Sequence, residues 1–142
     1  MINQLDKKIF LVDDDELILK TFSKHLSNLG YTDLTTFQNG ASAINALSED
    51  PFLIFLDYQM DDMTGFDVLR KIKRHNPDTY VIMLSSQKDL SNAVETLKFG
   101  AFDYIIKGEG DMPKITRALE RLDKLESHLL APRKTLFQRL FG

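Results

Sequence analysis

The sequence predicts an α/β fold, a parallel sheet with helices on both faces. Five short apolar runs mark the strands: Ile9-Phe10-Leu11-Val12, Leu34-Thr35-Thr36-Phe37, Phe52-Leu53-Ile54-Phe55-Leu56, Val81-Ile82-Met83-Leu84 and Phe102-Asp103-Tyr104-Ile105-Ile106. Stretches of about 10–15 residues with helical spacing alternate with them, as in repeated βα units. The runs are nearly continuous rather than alternating, which suits strands covered on both sides. Four runs end in groups suited to phosphate chemistry: Asp13-Asp14-Asp15, Asp57, Ser85 and Lys107.

The first helix is predicted over Glu16–Leu29, with Leu17, Phe22, Leu26 and Leu29 near helical spacing and Gly30 as its stop signal. Asn39-Gly40 marks a turn before a short helix carrying Ala41, Ile44 and Leu47. Pro51 precedes the third strand. Thr64-Gly65 opens a helix with Phe66, Leu69 and Ile72 that Asn76-Pro77 ends. Ser91–Lys98 carries Ala93, Val94 and Leu97 before Gly100. The last helix is predicted over Asp111–Leu130, with Ile115, Leu119, Leu122 and Leu125 as its apolar stripe and Pro132 breaking it.

The organisation predicted is one domain over 1–127. Residues 128–142 then extend the last helix and end in a short basic and aromatic tail with no output domain. Two readings of that tail stay open: it packs on its own domain or frays, or it docks on a partner or an anionic membrane.

The bulk numbers exclude several chemistries. The 142 residues are 43% hydrophobic and carry a formal charge of −3, which gives no bulk attraction to nucleic acid. With no cysteine there is no disulfide, thiolate metal site or cysteine nucleophile. No run is long enough to span a bilayer and Met1–Lys8 lacks a signal-peptide core, so a cytoplasmic location is expected. His25, His75 and His128 fall at scattered helical positions and read as surface residues.

Neighbouring first and third strands would end about 4.8 Å apart, bringing Asp13 and Asp14 beside Asp57. Crowded carboxylates repel, and at least one pKa should rise unless a cation intervenes. Oxygen ligands without histidine or sulfur select a hard cation, Mg²⁺ above all. A carboxylate, a hydroxyl at Ser85 and an ammonium at Lys107 then make a site for phosphoryl transfer to an aspartate. Asp15 reads as a helix cap or a solvent-exposed residue rather than a ligand.

Four motifs, in order, resemble the receiver domain of two-component response regulators. They are Phe10-Leu11-Val12-Asp13-Asp14-Asp15; Leu56-Asp57-Tyr58-Gln59-Met60 through Gly65; Met83-Leu84-Ser85-Ser86; and Gly100-Ala101-Phe102-Asp103-Tyr104-Ile105-Ile106-Lys107. The resemblance covers about Lys8 to Leu125. It implies a flavodoxin-like doubly wound (βα)5 three-layer sandwich with strand order 2-1-3-4-5, similar to a single-domain chemotaxis-type regulator.

The resemblance also implies roles. Asp57 accepts a phosphoryl group from a sensor histidine kinase or a phosphotransfer protein. Asp14, Asp57 and the backbone carbonyl of Gln59 hold Mg²⁺, with Asp13 acting through water. Lys107 pairs with the phosphoryl group, while Ser85 and Tyr104 form the switch that remodels the helix 4–strand 5–helix 5 face. That face would serve a downstream protein partner or a homodimer, with no direct nucleic-acid binding and no enzymatic turnover. Gln59 and Gln87 flank the site and are expected to tune the phosphoryl lifetime.

Two departures stand out. Asp61 follows the motif methionine where many members have proline, which sets an acidic Asp61-Asp62 pair beside the site. Gly108 follows the motif lysine where many have proline, often after a cis bond. Two other readings remain: a receiver that binds partners without phosphorylation, and a small aspartyl-phosphate phosphatase. Haloacid-dehalogenase-like phosphatases need a second aspartate two residues after the nucleophile, and that position is Gln59.

Overall fold

The computed structural model describes residues 6–86, 90–108 and 110–141, with side chains through 129. Its strands are β1 (Ile9–Val12), β2 (Leu34–Phe37), β3 (Leu53–Asp57), β4 (Tyr80–Ser85) and β5 (Asp103–Ile106). All pair in parallel, in the order β2-β1-β3-β4-β5. The helices are α1 (Glu16–Asn28), α2 (Gly40–Asn45), α3 (Gly65–His75), α4 (Leu90–Phe99) and α5 (Asp111–Phe141). The predicted fold class and strand order therefore hold.

The pleat sorts each strand between two cores. Ile9, Leu11, Leu53, Phe55, Ile82 and Leu84 meet α1 and α5, which contribute Phe22, Leu26, Ile115 and Leu122. Phe10, Val12, Ile54, Leu56, Val81 and Met83 meet α2 and α3, which contribute Ala43, Val68, Leu69 and Ile72. Full burial of a large aliphatic or aromatic side chain contributes about 1.5–3 kcal/mol, so these two layers set the register of every strand end.

Element ends follow local chemistry. Asp15 caps α1, its side chain accepting from the Leu17 amide at 2.9 Å. Gly30 takes φ 101°, as expected of a helix stop. Asn39 caps α2 and Thr64 caps α3. Leu47 belongs to a separate 3₁₀ turn (Leu47–Glu49) rather than to α2.

Two expectations need correction. α5 runs through Pro132 to Phe141 instead of stopping there. A proline inside a helix removes one backbone hydrogen bond and crowds one carbonyl, which a helix can accommodate without ending. His25 is half-buried rather than a free surface residue, with Nε2 3.0 Å from Thr116 Oγ1, where it links α1 to α5. His75 and His128 are exposed. Among the described residues no helix is long and apolar enough to cross a membrane.

Candidate functional site

β1 and β3 are hydrogen-bonded neighbours, with Val12 opposite Leu56. Their carboxyl ends therefore bring Asp13 and Asp14 to Asp57, and one oxygen from each of the three lies within 4.8 Å of the others. Asp13 and Asp57 are only 3% and 5% exposed, whereas Asp14 faces solvent. Carboxylates this deep need a counter-charge.

Lys107 supplies it from the loop after β5. Its Nζ donates to Asp13 Oδ2 at 2.7 Å and to Asp57 Oδ1 at 3.1 Å. Asp13 Oδ1 also accepts from the Asp15 amide at 2.9 Å. The Lys107 amide donates to the Ser85 carbonyl at 2.7 Å, which fixes where the lysine leaves the sheet.

One cation does not balance three carboxylates. Burial and the neighbouring Asp13 push Asp57 up to about 6, against the pull of Lys107. Desolvation and the nearby Asp13 and Asp61 also raise Asp14. Burial works against the Lys107 ammonium, but its bonds to Asp13 and Asp57 outweigh that and raise its pKa. The donor set is all oxygen, partly solvent-facing and in excess of negative charge, so it fits a hard divalent cation such as Mg²⁺.

Ser85 is the last residue of β4 and is 1% exposed, one position beyond the Asp57–Leu84 register pair. Tyr104 belongs to β5. Its ring meets Tyr58 edge-on at 6.4 Å, and its hydroxyl is enclosed with no hydrogen-bond partner among the described residues. Gln59 is exposed on the loop after Asp57 and bridges to Thr64. Gln87 lies outside the described residues.

The loop from Asp57 to α3 closes tightly. The Gly65 amide donates to the Tyr58 carbonyl at 2.6 Å. A Cβ on Gly65 would lie 2.5 Å from the Asp57 carbonyl oxygen, so only glycine allows this approach. Gly108, where a proline is common, has φ 143°. Proline is confined near −65° and cannot adopt that conformation.

The Asp61-Asp62 pair divides. Asp61 contributes to the charge around Asp14, whereas Asp62 turns to α2 and accepts from the Gly40 amide at 3.1 Å and the Ala41 amide at 2.9 Å. Those two amides hold its carboxyl below the usual range. The sequence marked a turn at Asn39-Gly40, but the structure adds Asn39 as the cap and Asp62 as a second acceptor arriving from another loop.

Residues 9–120 match the family described as "Response regulator receiver domain". The chain is 31% identical over 136 residues to luminescence regulatory protein LuxO of Vibrio campbellii, covering 93% of this chain and 30% of that protein. It is 38% identical over 100 residues to the DNA-binding transcriptional regulator NtrC of Escherichia coli, covering 70% of this chain and 21% of that protein. It thus spans less than a third of the length of either relative. A receiver domain protein of Methanospirillum hungatei, described as CheY-like, superposes with TM-score 0.77 at 28% identity, covering 86% of this chain and 98% of that one. The BeF3-activated DrrB receiver domain superposes with TM-score 0.70 at 33% identity, covering 80% and 97%.

Proposed function

The chain belongs to the response regulator receiver family of two-component systems, and from that premise we propose that it accepts a phosphoryl group on Asp57 from a sensor histidine kinase or a phosphotransfer protein. The observation that carries this reading is the buried Asp57 carboxylate held beside Asp13, Asp14 and the Lys107 ammonium.

An Asp57 oxygen attacks the donor phosphorus in line. The new O–P bond forms as the donor's bond to phosphorus breaks, and the electron pair leaves with the donor. With a pKa of about 6, Asp57 is mainly ionised at neutral pH yet more basic than an ordinary carboxylate. Asp14, Asp57 and the backbone carbonyl of Gln59 would hold Mg²⁺, with Asp13 close by. When bound, that ion offsets the negative charge which would otherwise repel the incoming phosphate. Lys107 turns from Asp57 toward the phosphoryl oxygens, and Ser85 donates its hydroxyl to them.

Output follows on the α4–β5–α5 face. Among the described residues the Tyr104 hydroxyl has no hydrogen-bond partner that would lock its ring, which supports its role as the moving switch residue with Ser85. α4 already exposes Leu90, Val94 and Leu97. A groove of about 520 Å³ between β5 and α5 is lined by Lys114, Arg117 and Lys124, by Glu120, and by Arg121 paired with Asp103, a net basic lining. This surface suits a protein partner bearing acidic and apolar side chains.

Intact-protein mass spectrometry after incubation with acetyl phosphate, with and without Mg²⁺, tests the assignment. One Mg²⁺-dependent phosphate, absent from Asp57→Asn, is expected. Labelling of that variant at unchanged stoichiometry would overturn it. Absence of phosphate from the wild type, with this donor and with a panel of histidine kinases, would make the chain a phosphorylation-independent binding module.

A further inference from the structure

We infer that Asp62 is a positioning residue for the phosphoacceptor site, tying the tip of the Asp57 loop to α2 so that its two sources of metal ligands share one frame. The inference rests on the reading of Asp57 above. Asp13 and Asp14 leave β1, whereas Asp57 and Gln59 leave β3. Beyond the sheet, the loop after Asp57 needs its own anchor to keep a constant relation to the β1 end.

The loop is tied at three levels. Its base closes through the Gly65 amide and the Tyr58 carbonyl, and its middle through the Gln59–Thr64 bridge. Its tip is joined to α2 by Asp62, whose two oxygens take the Gly40 and Ala41 amides, 22 and 21 residues away in sequence. Met63 reinforces this tie. Its Cγ lies 2.7 Å from where a Cβ on Gly40 would stand, so the bare Gly40 backbone is what lets it seat there. α2 in turn packs on β1, with Ala43 in one apolar cluster with Phe10 and Val12.

Asp62 is not the ordinary cap of this helix. Asn39 fills that place, accepting from the Ser42 amide at 2.8 Å. Asp62 takes the two preceding amides and differs from Asn39 in coming from another element. Both bonds are charge-assisted, the stronger class of hydrogen bond.

The contrast between these acceptors provides the test. The Mg²⁺ dissociation constant is measured by titration calorimetry on the wild type, Asp62→Ala, Asp62→Asn and Asn39→Ala, alongside melting temperature and acetyl phosphate labelling. Asp62→Ala is expected to weaken Mg²⁺ binding about tenfold, the lower end for groups that orient metal ligands. Asp62→Asn keeps one acceptor oxygen and should fall between Asp62→Ala and the wild type. Asn39→Ala should lower the melting temperature and leave Mg²⁺ affinity unchanged.

Unchanged affinity in Asp62→Ala would overturn the inference, as would equal weakening by Asn39→Ala, which would make Asp62 a helix cap only. Equal weakening by Asp62→Ala and Asp62→Asn would assign the effect to charge alone and overturn positioning. A wild type that takes no Mg²⁺-dependent phosphate would instead overturn the phosphoacceptor reading itself.

Discussion

Lys107 Nζ lies 3.1 Å from Asp57 Oδ1, although 50 residues separate the two. The contact crosses β4, which stands between β3 and β5 in the sheet. A long flexible stem is what lets an ammonium at the end of β5 reach a carboxylate at the end of β3. The same ammonium reaches Asp13 at 2.7 Å. In this arrangement Lys107 is the counter-ion of two buried acids.

Removing that counter-ion leaves both acids without their cation. Lys107→Ala should lose about 1–3 kcal/mol of stability in chelator at pH 7.5, the cost of stranding buried charged groups. Mg²⁺ should recover much of the loss by occupying the same negative pocket. Thermal melts with and without Mg²⁺ check this, and a loss that Mg²⁺ leaves untouched would point to packing instead.

Stability should also depend on Asp57 ionisation. Its folded pKa of about 6 exceeds the ordinary 3.8, so its contribution is fully present below about 3.8 and is lost as pH rises through about 6. In chelator above pH 7, Asp57→Asn should therefore be more stable than the wild type by roughly 1–3 kcal/mol. The gap should shrink toward pH 4.5 as the wild-type carboxyl protonates. Urea unfolding across that pH range measures it; a constant gap would remove Asp57 ionisation as its cause.

Gly65→Ala should be costly because the obstruction is backbone. The new Cβ would meet the Asp57 carbonyl at 2.5 Å and the Tyr58 Cα at 2.8 Å. Overpacking of this kind costs about 1–3 kcal/mol, and the strained loop should also slow acetyl phosphate labelling. Urea unfolding gives the first quantity and timed mass spectrometry the second.

Tyr80→Phe separates stability from signalling. The Tyr80 hydroxyl donates to Glu126, and burial with that carboxylate pushes its pKa up to about 12. Tyr80 opens β4, at the amino ends of the strands, opposite the ends that carry Asp57. The substitution should cost about 1 kcal/mol and leave the labelling rate within twofold of the wild type.

Local sequence carried much of this. Apolar runs marked all five strands to within a residue, because a strand buried on both faces has little freedom in composition. Asp15, Gly30, Asn39 and Thr64 marked helix ends, because caps act within a turn of where they sit. Pro132 misled because local propensity states a cost without stating whether a helix continues past it.

What the sequence by itself determined was the set of candidate site groups and the ends of the strands that carry them. Tertiary structure decided which groups meet. The strand order set Asp13, Asp57 and Lys107 within hydrogen-bond reach and Tyr104 against Tyr58. It also turned Asp62 from an acid beside the site into an acceptor for α2. The physical reason is range: propensity and capping act over a few residues, whereas pairing of distant charges and amides depends on how packed layers bring remote segments together.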